Sequence, residues 1–291
     1  MQLVTYRRAE GDGRAGTQRR IGRLEGDVIV DLSAIAPDML SLLEAGREAL
    51  ERARRTAGQK VALGEVQLAA PVPRPPKILA VGLNYADHVA EMGRETPKLP
   101  MIFNKQATAA TGPRDPIHLP RVSRLLDYEG ELGVVIGRRC RHVPKERANE
   151  VVAGYVVVDD VSVRDWQMRV PTMTMGKSFD THCPFGPAIV TPDEVGDPHV
   201  LALTTRVNGE LRQSTNTRNL IFDCFDLIEH LSTAFTLEPG DLISTGTCGG
   251  VAAAFEPPKW LVAGDVVRVE IEKVGALENR VIAEPDDTAR I

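Results

Sequence analysis

The stretch Asp127-Tyr128-Glu129-Gly130-Glu131-Leu132-Gly133-Val134-Val135-Ile136-Gly137 decides how this chain is read. The apolar, β-branched run after the glutamates reads as a strand, and on a strand residues i and i+2 share a face. Glu129 and Glu131 are therefore aimed together at the mouth of a segment that enters a core. Burying two like charges side by side is costly unless something positive neutralises them. A hard divalent cation does so, because Mg²⁺ or Ca²⁺ prefers oxygen ligands. The alternative is a strand end with both acids solvated.

The bulk numbers narrow the field. A chain of 291 residues holds one large domain, or a large and a small one. With 43% apolar and 26% charged residues the composition is that of an ordinary globular protein. A formal net charge of -5 argues against nucleic acid or an anionic membrane surface as partner. No apolar run reaches the length of a membrane span. Met1 to Arg8 lacks the apolar segment of a secretory signal, so the expected location is the cytoplasm. Cys140, Cys183, Cys224 and Cys248 lack metal-ligand spacing and are expected to be reduced thiols.

Residues 1–70 read as a small leading module. Short strands are predicted at Leu3 to Tyr6 and Val28 to Leu32, with a glycine-rich charged loop from Gly11 to Gly16. Helical spacing runs from Asp38 to Ala57, and Leu63 to Leu68 reads as a further strand. The proline-rich connector Pro71 to Pro76 marks the boundary with a second domain, 71–291. Past it, Lys77 to Gly82 reads as a buried strand leading to a short helix, with Asn84 as its cap and Gly93 as its end. His88 and Glu91 sit at i and i+3 on that helix, a general-base pair or an incidental surface ion pair. Glu146 to Ala153 reads as a short helix, followed by an apolar strand that delivers Asp159 and Asp160. Asp160 can complete an all-carboxylate set with the two glutamates, or it is turn chemistry. Lys177 is either a cation held near that set or a surface charge. Asn208-Gly209 centres a hairpin, Leu220 to Phe235 is an amphipathic helix, and the backbone amides of Gly246 to Gly250 can approach an anion. Strands outnumber helices, which predicts a β-rich α+β protein. There is no nucleotide-binding glycine motif.

Five segments in order resemble the fumarylacetoacetate hydrolase superfamily: GLNYADHVAE at 82–91, DYEGEL at 127–132, DDVSVRDWQ at 159–167, GKSFDT at 176–181 and TGT at 245–247. The resemblance runs from about residue 72 to the C-terminus and includes acylpyruvases and 2-hydroxyhepta-2,4-diene-1,7-dioate isomerases. It implies a mixed β-sandwich roll with a small N-terminal α/β domain, and a homodimer. It also implies that Glu129, Glu131 and Asp160 bind Mg²⁺ or Mn²⁺. His88 and Glu91 would form the catalytic pair on a lid, with Lys177 holding charge near the metal. Arg164, Gln167 and Thr247 would line the site for a small keto acid.

The reaction expected from this resemblance is hydrolysis of a C–C bond in a 1,3-dicarbonyl acid, an acylpyruvate or a fumarylacetoacetate-like diketo acid, through an enolate. Decarboxylation of a β-keto acid such as oxaloacetate and isomerisation of a dienoic diacid are alternatives on the same site. A silent metal- or ligand-binding protein is a further one. Two residues depart from the family pattern. Cys248 stands where proline usually follows TGT, and Ala252 stands where glycine is common after Val251. Cys248 is read as a buried structural thiol, with redox sensitivity as the alternative.

Overall fold

A computed structural model describes residues 1–9 and 15–288. The strand Gly130–Ile136 is buried along its whole length. Val152–Asp159 is buried beyond its first residue. Both faces of this antiparallel pair are covered, which is why its sequence is an unbroken apolar run. Alternate residues divide between two cores. Leu132, Val134, Ile136 and Val157 pack with Leu203, Val269 and Ile271. Val135, Val156 and Val158 pack on the other side with Met39, Leu42 and Leu43. Each such side chain contributes about 1.5–3 kcal/mol when fully buried.

The pair lies inside a 12-stranded sheet, counted over the described residues. Gly130–Ile136 is flanked on its other side by Leu242–Thr247, which pairs in turn with Ile78–Gly82 and then Met101–Lys105. In the other direction Val152–Asp159 meets Cys183–Val190, and that strand meets Gln2–Ala9. The leading strands Ala15–Glu25, Val28–Asp31 and Lys60–Ala62 thus continue the same sheet. A five-stranded sheet holds the hairpin Ala202–Val207/Glu210–Asn216 together with Val266–Ile271, Gly275–Ala283 and Ile117–Leu119. Asn208 and Gly209 both have positive φ, as a two-residue type I′ turn requires. The protein is α+β and rich in strands, as its turn spacing predicts.

Several local readings change. The helix predicted over Asp38 to Ala57 is two helices, Met39–Glu44 and Gly46–Arg55, broken where Gly46 takes φ +74°. Leu63 to Leu68 begins as a 3₁₀ turn, Leu63–Glu65, before the strand Val66–Ala69. The helix expected over Glu146 to Ala153 is a 3₁₀ segment, Lys145–Val151. The helix predicted from Leu220 starts at Cys224, because Asp223 and Asp226 form a reciprocal capping box there. Most of the loop read at Gly11 to Gly16 lies outside the described residues. Among the described residues, no helix is long and apolar enough to cross a membrane.

Candidate metal centre and active site

The register of the central strands assembles the carboxylates. Gly130 pairs with Asp159, and the Asp160 amide donates to the Glu129 carbonyl at 2.8 Å. The ends of two buried strands are thereby locked together, and both deliver acids to one place. Glu129, Glu131 and Asp160 are all buried, and one oxygen from each lies within 4.8 Å of the others. The three residues singled out in the sequence as a cation site therefore converge.

Three buried cations surround them. Lys177 Nζ donates to Glu129 Oε2 at 2.7 Å and to Asp160 Oδ2 at 2.8 Å. It is 2% exposed, so it is no surface charge. Lys105 Nζ donates to Asp160 Oδ1 at 2.5 Å and to the Val161 carbonyl at 3.2 Å. Arg164 reaches Asp127 Oδ2 through Nε at 2.8 Å and Glu129 Oε1 through Nη1 at 2.7 Å. Burial pushes the Glu129 carboxyl up, but Lys177 and Arg164 outweigh it and bring it down to about 2. Burial pulls the Lys177 ammonium down, but Asp160 and Glu129 raise it above its ordinary value. Glu131 is different. It accepts from Ser244 Oγ at 2.5 Å and from the Gly246 amide at 2.7 Å. Burial, then the charges of Asp160 and Glu129, push its carboxyl well above the ordinary range.

This donor set fits a hard divalent cation. Every candidate ligand atom is a carboxylate oxygen. Five buried acids (Asp127, Glu129, Glu131, Asp159 and Asp160) face three buried cations (Lys105, Arg164 and Lys177), a deficit of two positive charges when all are ionised. Asp159 shares in the deficit: burial raises its carboxyl to about 7, and its Oδ2 has no partner.

The imidazole pair sits beside this cluster. His88 and Glu91 lie on the short helix Ala86–Glu91, with His88 Nδ1 3.2 Å from Glu91 Oε2. An ionised carboxylate only accepts, so Nδ1 is the nitrogen that donates to Glu91 and Nε2 is the one left for chemistry. The segment Gly246 to Gly250 ties the pair to the cluster, since its first amide donates to Glu131 and its last to Glu91. Glu91 Oε1 accepts from the Gly250 amide at 2.8 Å. The loop amides read as an anion site thus bind two internal carboxylates, Glu131 through Gly246 and Glu91 through Gly250. Asn84 does not cap the helix; Tyr85 holds that position, without a side-chain cap bond. The Asn84 amide instead donates to the carbonyls of Thr245 and Phe222, at 2.7 and 2.9 Å, and fastens the base of the helix to the strand Leu242–Thr247.

The remaining expected residues lie close by. Arg164 Nη1 also donates to Gln167 Oε1 at 2.9 Å, and Gln167 Nε2 reaches Met173 Sδ at 3.5 Å. Thr247 Oγ1 donates to the Gly130 carbonyl at 3.0 Å, between the two glutamates. Burial, then the charge of Asp87, raises the Cys248 thiol to about 12, which fits the structural reading. Sequence reasoning missed Lys105 and Asp127. A lysine that closes an otherwise strand-like run, Met101–Lys105, was the available signal for the first. Asp127 stood in the deciding stretch without a role; it also accepts from the amides of Ala252 and Ala253 at 2.7 and 3.1 Å.

The profile of the family described as Fumarylacetoacetate (FAA) hydrolase C-terminal matches residues 77–282. The mitochondrial oxaloacetate tautomerase FAHD2B of Bos taurus is 45% identical over 291 residues, covering 97% of this chain and 92% of that protein. Among solved structures, a putative HpcE protein from Mycobacterium smegmatis superposes with a TM-score of 0.87 at 37% identity, covering 98% of this chain and 100% of that one. Maleylpyruvate hydrolase from Sphingobium sp. SYK-6, crystallised with manganese(II) and pyruvate, gives 0.80 at 34% identity with the same coverage. A buried all-carboxylate centre with an adjoining imidazole, on this fold and with these likenesses, makes the chain an enzyme of the fumarylacetoacetate hydrolase family.

Proposed function

We propose that the chain is a divalent-metal-dependent enzyme that interconverts the keto and enol forms of an oxaloacetate-type 2-oxo diacid. The observation that carries this reading is one imidazole, hydrogen-bonded through Nδ1 to Glu91, whose carboxylate is held by the same glycine segment that holds Glu131. Tautomerisation needs one group that takes a proton from carbon and returns it to oxygen. The likeness to the Bos taurus oxaloacetate tautomerase supports the choice of reaction. Glu129, Glu131 and Asp160 would hold Mg²⁺ or Mn²⁺. Such an ion, when bound, would supply Lewis-acid polarisation of a carbonyl oxygen.

The protein's own groups do the rest. His88 Nε2 takes a proton from C3 of the keto acid; the C3–H electron pair becomes the C2–C3 double bond, the C2–O π pair moves onto the oxygen, and the imidazolium gives its proton to that oxygen, which leaves the enol and the neutral ring. Glu91 stabilises the imidazolium through Nδ1–H and keeps the ring oriented. Lys177, held by Glu129 and Asp160, presents positive charge where the oxyanion develops. Arg164, whose Nη2 has no internal partner, and Gln167 bind and orient the substrate's carboxylates, next to Thr247.

A second reading is C–C hydrolysis of an acylpyruvate, favoured by the likeness to maleylpyruvate hydrolase. There His88 would activate a water instead of removing a carbon-bound proton. NMR of oxaloacetate, an acylpyruvate and a dienoic diacid, with metal-stripped and Mn²⁺-loaded protein, separates the readings. Metal-dependent keto–enol exchange, slowed about 10²–10⁴-fold by His88→Ala, is the expected result. Pyruvate plus a carboxylate from the acylpyruvate, without enhanced exchange, would replace it with the hydrolase. Carbon dioxide or a shifted double bond would give the decarboxylase or the isomerase.

A further inference from the structure

Gln213 is 1% exposed and belongs to the five-stranded sheet, on Glu210–Asn216, yet its carboxamide enters the acid site. Its Oε1 accepts from the Gly130 amide at 2.9 Å, the peptide between the two glutamates. Its Nε2 donates to Thr247 Oγ1 at 2.8 Å and to the Cys248 carbonyl at 3.0 Å. Thr247 Oγ1 returns a hydrogen bond to the Gly130 carbonyl, closing a ring of hydrogen bonds. The carboxamide thus ties the glutamate strand to the loop that follows Leu242–Thr247.

The same loop ends at the base. Gly250 has φ +98°, and a Cβ built on it would lie 2.0 Å from the Arg212 carbonyl oxygen and 3.4 Å from the Gln213 Cα. Only glycine fits against that strand. Tyr128 Oη donates to the Gly250 carbonyl at 2.9 Å, while the Gly250 amide holds Glu91. Tyr128 is adjacent to Glu129 in the chain, so the loop is fastened to the glutamate strand at both ends.

We propose that Gln213 is a positioning residue that couples the carboxylate cluster to the His88–Glu91 pair through the 247–250 loop. The inference rests on the reading of His88 as the base. By this arrangement, the backbone that spaces Glu129 and Glu131 also sets the amide that orients Glu91. Partners of this kind, one step behind the reacting groups, typically cost 10–100-fold in metal affinity or activity when removed.

The test uses the full chain as Gln213→Leu and Tyr128→Phe. Three quantities are measured: Mn²⁺ affinity by calorimetry, the ¹⁵N shifts of the His88 ring in metal-free protein, and kcat. Gln213→Leu is expected to weaken Mn²⁺ about tenfold or more, release the fixed Nδ1–H tautomer and lower kcat about 10–100-fold. Tyr128→Phe, which alters only the far end of the loop, is expected to release the tautomer and lower kcat while Mn²⁺ binds as in the wild type. A Gln213→Leu protein with a lower Tm but wild-type Mn²⁺ affinity and a fixed His88 tautomer would reduce Gln213 to a packing role. Should that variant not fold, a Tyr128→Phe protein with wild-type tautomer and kcat overturns the coupling by itself. If the wild type turns over no 2-oxo acid, the proposed reaction falls, and the Mn²⁺ and ring readouts still judge the coupling.

Discussion

Two buried acids, Asp31 and Glu131, show what separates a structural carboxylate from a functional one. Asp31 ends the strand Val28–Asp31 and is fully provided for: it accepts from the Tyr6 hydroxyl, from the Ser33 amide at 2.8 Å and from Arg20 Nη1 at 3.3 Å. Burial pushes it up, but the Tyr6 hydrogen bond and the other donors outweigh burial and hold it below its ordinary value. Glu131 has good hydrogen bonds too, yet among the described residues no cation pairs with it, and its carboxyl is pushed up. Hydrogen bonding without charge compensation leaves a place for an ion that comes from outside. Burial alone does not mark the site; the missing positive charge does.

The comparison is open to attack at several strengths. The largest effect is expected from Lys105→Met, which leaves Asp160 with one cation fewer in a buried site. Breaking a buried pair costs about 3–5 kcal/mol, read as denaturant stability of metal-free protein. Saturating Mn²⁺ should narrow the gap to wild type; an unchanged gap would mean that lysine and ion do not share the same charge deficit.

Next is Glu131→Gln. Mn²⁺ affinity should drop at least about 100-fold, since outer partners of a metal already cost 10–100-fold, while the metal-free protein gains stability. A loss of metal-free stability would place Glu131 in Asp31's class. In the wild type, Glu131 is raised, so it must release a proton to bind metal, and Mn²⁺ affinity is expected to climb with pH. The mirror experiment is Asp31→Asn, expected to cost about 1–3 kcal/mol through the weakened Tyr6 and Arg20 contacts, with Mn²⁺ affinity and kcat unaltered.

At neutral pH the smallest effect is expected at a buried base. His182 Nε2 donates to the His118 carbonyl at 2.8 Å, and burial lowers the ring from 6.5 to about 3. Its folded value lies below its unfolded one, so its contribution is complete above pH 6.5 and is lost as pH falls toward 3. His182→Gln keeps a donor for His118 and should remove about one proton from the slope of stability against pH in that window.

Much of this site was legible in the sequence because strands report their own faces. Period-two spacing put Glu129 and Glu131 together, and an apolar run ending in acids delivered Asp160. What the sequence left open was who meets whom across the chain. Lys105 and Asp160 are 55 residues apart and nothing local joins them. Gln213 and Gly130 are 83 apart and belong to different sheets. Asn84 had the chemistry of a cap, but the partners it found in Thr245 and Phe222 are tertiary, and local propensity does not register them. The divided helix at Gly46 and the late start at Cys224 are boundary errors, where a turn or a cap outcompeted an apolar period.

The glycine-rich segment Gly246 to Gly250, where the strand Leu242–Thr247 ends, has a consequence for anion binding. Loops of this composition commonly cradle phosphate, and two of these amides face carboxylates that belong to the protein itself. A phosphorylated acid entering the site meets donors that are already engaged, and to use them it would have to displace Glu131 from Gly246 or Glu91 from Gly250. Either exchange dismantles the centre that the visitor needs. The donors of this segment thus serve the protein's own carboxylates, and an incoming phosphate would find these two already taken.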